Sequence, residues 1–137
     1  MLNRIIPLVV LSTLAVACAK VVKSQNSETG LTSLAGTEWG LAGQDAPFVK
    51  FDAQGNMNGN SGCNNFGGSY ELNGERLIVG PLMSTKKACF GGDIMQQESA
   101  FLDALQNAHH IDATHKSLVI FDENNAELLT LVRRDWD

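Results

Sequence analysis

The chain has 137 residues, 10 lysines and arginines against 15 acids, and a formal net charge of −5. That length accommodates one domain. An acidic balance with no basic stripe and no aromatic-basic interleaving argues against nucleic acid as a partner.

The first residues do not belong to the domain. Arg4 precedes an apolar stretch from Ile5 to Val16, interrupted only by Pro7, Ser12 and Thr13, and small residues follow. This pattern reads as a secretory signal peptide over residues 1–17, because the apolar run is too short for a permanent membrane helix. Leu14-Ala15-Val16-Ala17-Cys18 resembles a bacterial lipobox, although Ala15 stands where that pattern prefers a leucine-like residue. The resemblance implies that Cys18 is lipidated and that a membrane is the anchoring partner. Ordinary cleavage after Ala17-Cys18-Ala19 is the other route, and it would discard Cys18. Residues 18–33 are mostly polar and without period, as expected of a tether.

From Gly36 onward, short strand signals alternate with turn residues. Trp39 and Leu41 alternate with small or polar neighbours, and Phe48-Val49-Lys50-Phe51 alternates again before a turn at Asp52-Ala53-Gln54-Gly55. Asn56 to Asn60 is expected to return antiparallel. Asp52, Gln54, Asn56, Asn58 and Asn60 alternate like calcium ligands, but the sixth and twelfth places from Asp52 hold Met57 and Cys63 instead of glycine and glutamate. A hairpin rim held by side-chain-to-backbone hydrogen bonds is the better reading.

The run from Gly59 to Tyr70 is dense in glycine, which is costly to order and implies a backbone that other residues cannot adopt. Next, Ser69-Tyr70-Glu71-Leu72 and Arg76-Leu77-Ile78-Val79 flank Asn73-Gly74, a pair suited to a type I′ turn. Exclusion of Cys18 by acylation or removal leaves Cys63 and Cys89 as an even pair in an oxidising compartment. A disulfide between them would close a loop of about 27 residues and contribute roughly 3–4 kcal/mol by the chain-entropy model. Two separate buried thiols are the alternative, since spacing alone does not bring two Cβ atoms together.

One helix is expected at about 93–107, with Ile94, Phe101 and Leu105 on one face, Met95 and Leu102 broadening it, and Asp93 with Gln96 forming a capping box. Strands at Ser117–Phe121 and Ala126–Val132 follow, joined across Asp122-Glu123-Asn124-Asn125. Many short strands with one inserted helix define an α+β, mostly β chain: a cracked or open antiparallel β-barrel whose helix covers one mouth.

The order of these elements and several signatures resemble the META domain family, which includes HslJ-like heat-shock lipoproteins. The resemblance runs over residues 34–134. It rests on Gly36-Thr37-Glu38-Trp39, Phe51-Asp52, Gly62-Cys63-Asn64 with Gly68 and Tyr70, Ser84-Thr85 with Ala88-Cys89, and Glu98 with Phe101 and Leu105. Lys86-Lys87 departs from the family, which often has a methionine before the alanine, and the change should affect a surface more than the fold. The resemblance implies a noncatalytic envelope lipoprotein domain, linked to heat-shock or envelope stress and, in some members, to antibiotic tolerance. It supplies no catalytic residue.

The same residues admit other chemistry. Cys63 with His109, His110 or His115 as base would be a nucleophile, but its glycine-rich setting and the second cysteine favour a disulfide. His109 and His110 cannot share one face of a strand, and no acid or cysteine completes a metal set around them, so no metal or other cofactor is expected. Asn64 is expected to hold neighbouring backbone, and Tyr70 to pack its ring inward while its hydroxyl finds a polar partner. The functional alternative is a polar patch that recognises a ligand at the barrel mouth. A periplasmic module for an apolar ligand or an envelope protein is the second reading of the whole domain, and it predicts an apolar pocket between helix and sheet.

Overall fold

The computed structural model describes residues 30–135. The signal stretch, Cys18 and the tether as far as residue 29 lie outside the described residues.

Among the described residues, nine strands and one helix follow in order. The strands are β1 (Thr37–Gly40), β2 (Phe48–Phe51), β3 (Asn56–Asn60), β4 (Asn65–Asn73), β5 (Arg76–Val79) and β6 (Met83–Ser84). After helix α1 (Ile94–Gln106) come β7 (His110–Ala113), β8 (Ser117–Phe121) and β9 (Glu127–Arg133). All pairings are antiparallel, in the order β3-β2-β1-β9-β8-β7-β5-β4-β6, and a β3–β4 pairing closes the sheet into a ring. The ring is thinnest between β5 and β7, where only Arg76 and His110 stand in register. The seam is supplemented by Leu77 N–H donating to His109 O and Ile111 N–H donating to Glu75 O. This is the cracked, mostly β architecture that the alternating pattern implies.

Alternation places one side chain in two inside the ring. Trp39, Val49, Phe51, Met57, Leu77, Ile111, Leu118, Ile120 and Leu131 are buried together, with Phe101 and Leu105 of α1 closing over them. The Trp39 indole would be an unsatisfied donor there, but it donates to Thr37 Oγ1 at 2.7 Å, and that hydroxyl donates to Leu34 O at 2.6 Å. Helix and sheet are therefore joined by packed side chains, Trp39, Ile120, Phe101 and Leu105 among them, in the space where the apolar-ligand reading needs a pocket. A depression of about 480 Å³ instead lies on the outer face of β1–β3, against Glu38, Lys50 and Asn58.

Four local expectations need correction. Asn73 pairs with Arg76, so the two-residue loop is Gly74-Glu75, one step later than Asn73-Gly74. Gly74 has φ +64° and Glu75 does not share the positive sign, the pattern of a II′ turn with glycine first. Asn73 is freed for the strand, and its amide donates to Glu71 Oε1. Second, most of the glycine run has ordinary strand backbone and not a conformation closed to other residues: Gly59 and Asn60 end β3, and Asn65 to Tyr70 belong to the nine-residue β4. Gly68 is tightly covered, since a Cβ there would lie 2.8 Å from the end of the Leu82 side chain and 3.1 Å from Pro81 O, so those neighbours would have to shift. Third, Asp93 makes no side-chain cap, and only its carbonyl accepts from Gln97 N–H. Fourth, β6 and β7 are strands that hydrophobic alternation did not reveal, one being two residues long and the other opening on a histidine.

Both ends of the described chain are tied in. Leu31 N–H donates to Ala113 O, so the ring engages residues that composition alone assigns to the tether. At the other end Asp135 receives Arg133 through two hydrogen bonds and accepts from Glu38 N–H. The Arg133 guanidinium holds the Asp135 carboxyl down at about 2.

Candidate functional site

Helix α1 carries a carboxylate on its inward face. Ile94, Glu98, Phe101 and Leu105 follow a 4-3-4 spacing, so Glu98 points where a core residue should, and it is only 6% exposed. A buried charge is tolerable only with full hydrogen bonding. The β3–β4 loop provides it. Glu98 Oε2 accepts from Ser61 Oγ at 2.9 Å, from Cys63 N–H at 3.0 Å and from Asn64 N–H at 2.7 Å. Glu98 Oε1 accepts from Asn64 Nδ2 at 2.7 Å.

Two successive backbone N–H groups converge on one oxygen because the chain turns sharply at Gly62. Its φ of +133° lies in a region that L side chains rarely enter. Burial works against the charged form of Glu98, but the Asn64 side chain and backbone, the Ser61 hydroxyl and the Cys63 N–H outweigh it. The carboxyl therefore titrates below its usual range.

Asn64 carries the clasp onward. Its Oδ1 accepts from Thr85 Oγ1 at 2.8 Å and from Lys87 N–H at 2.7 Å, while Nδ2 also donates to Lys87 O at 3.1 Å. One buried amide thus binds helix, β3–β4 loop and the segment after β6. The Cys63–Cys89 disulfide adds a covalent link between the same two segments, with Cα atoms 5.9 Å apart. In that state the Cys63 sulfur is no nucleophile.

Of the residues singled out by the family signature, Gly62, Cys63, Asn64, Thr85, Cys89 and Glu98 meet in this clasp. Gly68 and Tyr70 act elsewhere: the Tyr70 hydroxyl donates to Asp52 O at 2.7 Å, and its ring meets Phe51 edge-on at 4.8 Å. Burial and the Asp52 charge push the Tyr70 hydroxyl's pKa up. Ala88 is exposed and contributes no side-chain bond to the clasp. Ser61 was not legible as a partner, and neither was the Lys87 backbone. The one readable signal was Glu98 itself, an acid in a core register of an amphipathic helix.

The remaining candidates separate. Asp52 Oδ1 accepts from Gln54 and Asn56 N–H and Oδ2 from Asn56 Nδ2, so its oxygens are used by the hairpin rim. His110 stacks on Phe121 at 4.7 Å, whereas His109 Nε2 lies 3.0 Å from an Arg76 guanidinium nitrogen. Neither approaches Cys63 through any bond of the clasp.

Fold and site together define a small antiparallel ring, closed at one end by a helix that a buried Glu98–Asn64 clasp and a disulfide hold in place. The META domain model matches residues 22–135, and the chain belongs to the META domain family. No curated protein matches it. Among solved structures, it is similar to an NMR structure of a protein from Burkholderia xenovorans, with 27% identity and a TM-score of 0.62 over 74% of this chain and 84% of that one. A second NMR structure, at 19% identity, has a TM-score of 0.56 over 74% of this chain and 90% of that one, a likeness of fold alone.

Proposed function

We propose that the chain is a noncatalytic cell-envelope lipoprotein of the HslJ-like type, exported by residues 1–17 and anchored through Cys18. The observation that carries this reading is the Cys63–Cys89 disulfide within the clasp of a META domain. Disulfides persist in oxidising compartments outside the cytoplasm, which agrees with the signal-like N-terminus. The motif residues direct their polar groups at one another, as in a scaffold and not in a catalytic centre: Glu98 accepts four hydrogen bonds and the Asn64 side chain takes part in four. The role is structural support of an envelope under heat-shock or related stress, including antibiotic challenge. Ala19 after Cys18, in place of the aspartate that retains lipoproteins at the inner membrane, directs a Gram-negative product to the outer membrane, facing the periplasm.

Radiolabelled palmitate should enter the wild-type protein and be absent from Cys18→Ala, with the label in the outer-membrane fraction. Equal labelling of both forms would overturn the anchor. A second reading, binding of an envelope protein, keeps the exposed surface as its site; the apolar-ligand version loses the space it needs to packed side chains.

A further inference from the structure

The segment between β6 and α1 presents groups that neither the ring nor the clasp uses. Phe90 is 96% exposed, and Lys86 and Lys87 stand four and three residues before it. The lysine side chains have no ion pair among the described residues, whereas Lys50, Arg133 and Arg134 each face a carboxylate. This segment is also rigidly held. Lys87 is fastened to Asn64 through both its N–H and its carbonyl, and Cys89 is bonded to Cys63. Gly91 and Gly92, at φ +111° and +61°, then turn the chain back to the helix. An exposed phenyl ring is thus displayed on a fixed segment, three and four residues after two exposed lysines, on an otherwise acidic chain.

We propose that the tip at residues 86–90 docks on an anionic phospholipid surface, with Phe90 inserted at headgroup level and Lys86 and Lys87 against lipid phosphates. Charge and shape both select this occupant. Exposed lysines a few residues from an exposed aromatic match the requirements of interfacial binding, apolar area plus attraction to anionic lipid. A ring that is almost wholly exposed suits a fluid headgroup layer, and the exposed Met83 and Met95 on either side of it in sequence add apolar area. Asp93 follows the tip and Asp103 lies exposed further along the helix, so the positive charge is confined to the segment before Phe90. The reach also fits. Twelve residues from Cys18 to residue 30 span up to about 40 Å when extended, ample for a domain with a radius of gyration of about 13 Å to lie against its own membrane. The proposal rests on the envelope reading only for the presence of that membrane.

The test uses the full chain with Phe90→Trp, because the apolar stretch near the N-terminus brings any form to vesicles and only a position-specific signal reports the tip. Vesicles contain phosphatidylethanolamine with brominated phosphatidylglycerol, or brominated phosphatidylcholine alone. After subtraction of the parent chain's emission, tryptophan at position 90 should shift to the blue and be quenched by the anionic vesicles. Adding Lys86→Glu and Lys87→Glu should weaken that quenching about tenfold or more. All forms should melt alike, since none of these side chains supports the core. Unchanged emission at position 90 would overturn the proposal, as would equal quenching by both lipids that ignores the lysines. So would a shift produced by polyglutamate and not by vesicles. Palmitate labelling with no quenching at position 90 would remove the tip and leave the anchor standing.

Discussion

Replacing Glu98 by glutamine preserves the shape of the side chain and removes its charge, which makes it the sharpest probe of the clasp. The glutamine oxygen must sit where Ser61 Oγ and the N–H groups of Cys63 and Asn64 converge, so its NH₂ faces Asn64 Nδ2, another donor. Asn64 cannot rotate to relieve this, because its Oδ1 already accepts from Thr85 and Lys87. Hydrogen bonds to a charged group contribute about 1.5–3 kcal/mol and neutral ones about 0.5–1.5, so three weakened bonds lose about 3 kcal/mol. The opposed donors cost about 1 kcal/mol more, and the easier desolvation of a neutral amide offsets about 1–2. Glu98→Gln should therefore destabilise by about 2–3 kcal/mol at pH 7, lowering Tm by about 10 °C for a domain of this size.

The pH dependence provides a second readout. The folded pKa of Glu98 lies below its ordinary value of 4.5, so its stabilisation is complete above the unfolded value and is lost as pH falls through the folded one. The gap between wild type and Glu98→Gln should be constant from pH 7 to about 6 and narrow below about 4.5. Urea unfolding followed by circular dichroism across that range measures it. Equal stability within about 0.5 kcal/mol at pH 7, or a gap that widens on acidification, would refute the reasoning.

Two further predictions address the same corner. Cys63→Ser and Cys89→Ser should each destabilise by roughly 3 kcal/mol, and the double variant should add little, because either substitution opens the same loop; additive melting shifts would mean the cysteines act separately. Asn64→Asp should cost at least about 3 kcal/mol at neutral pH, since it sets a second carboxylate against Glu98 Oε1 and Lys87 O in place of a donor. Part of that loss should be recovered as one carboxyl of the pair takes a proton on acidification, and thermal melts at pH 7 and pH 5 would show whether it is.

The strands at Phe48–Phe51 and Ser117–Phe121 were legible as short apolar runs bounded by turn residues, and the fold then buries alternate side chains of each. Alternation fails for Met83–Ser84, which is too short to carry a period. The hairpin at Gly74-Glu75 was located to within one residue. Sequence could not choose between Asn-Gly and Gly-Glu as the central pair, because both are acceptable and the cross-strand register decides. Glu98 entered only through the family signature, although its place in the inward register of the helix could have marked it; its donors lie 34 to 37 residues away in the chain.

By itself, the sequence determined the local choices: where apolar side chains alternate, where the backbone needs glycine, and that two cysteines remain to be paired once Cys18 is set aside. Those follow from short-range sterics and from the cost of burying polar groups. Only the tertiary structure decided that β3 and β4 close the ring, and that Gly62 turns two N–H groups onto one helical carboxylate. It also decided that fastening Lys87 to Asn64 leaves Phe90 and the two lysines before it exposed. Each of these depends on contacts between segments far apart in the chain, and no local preference of either segment specifies the other.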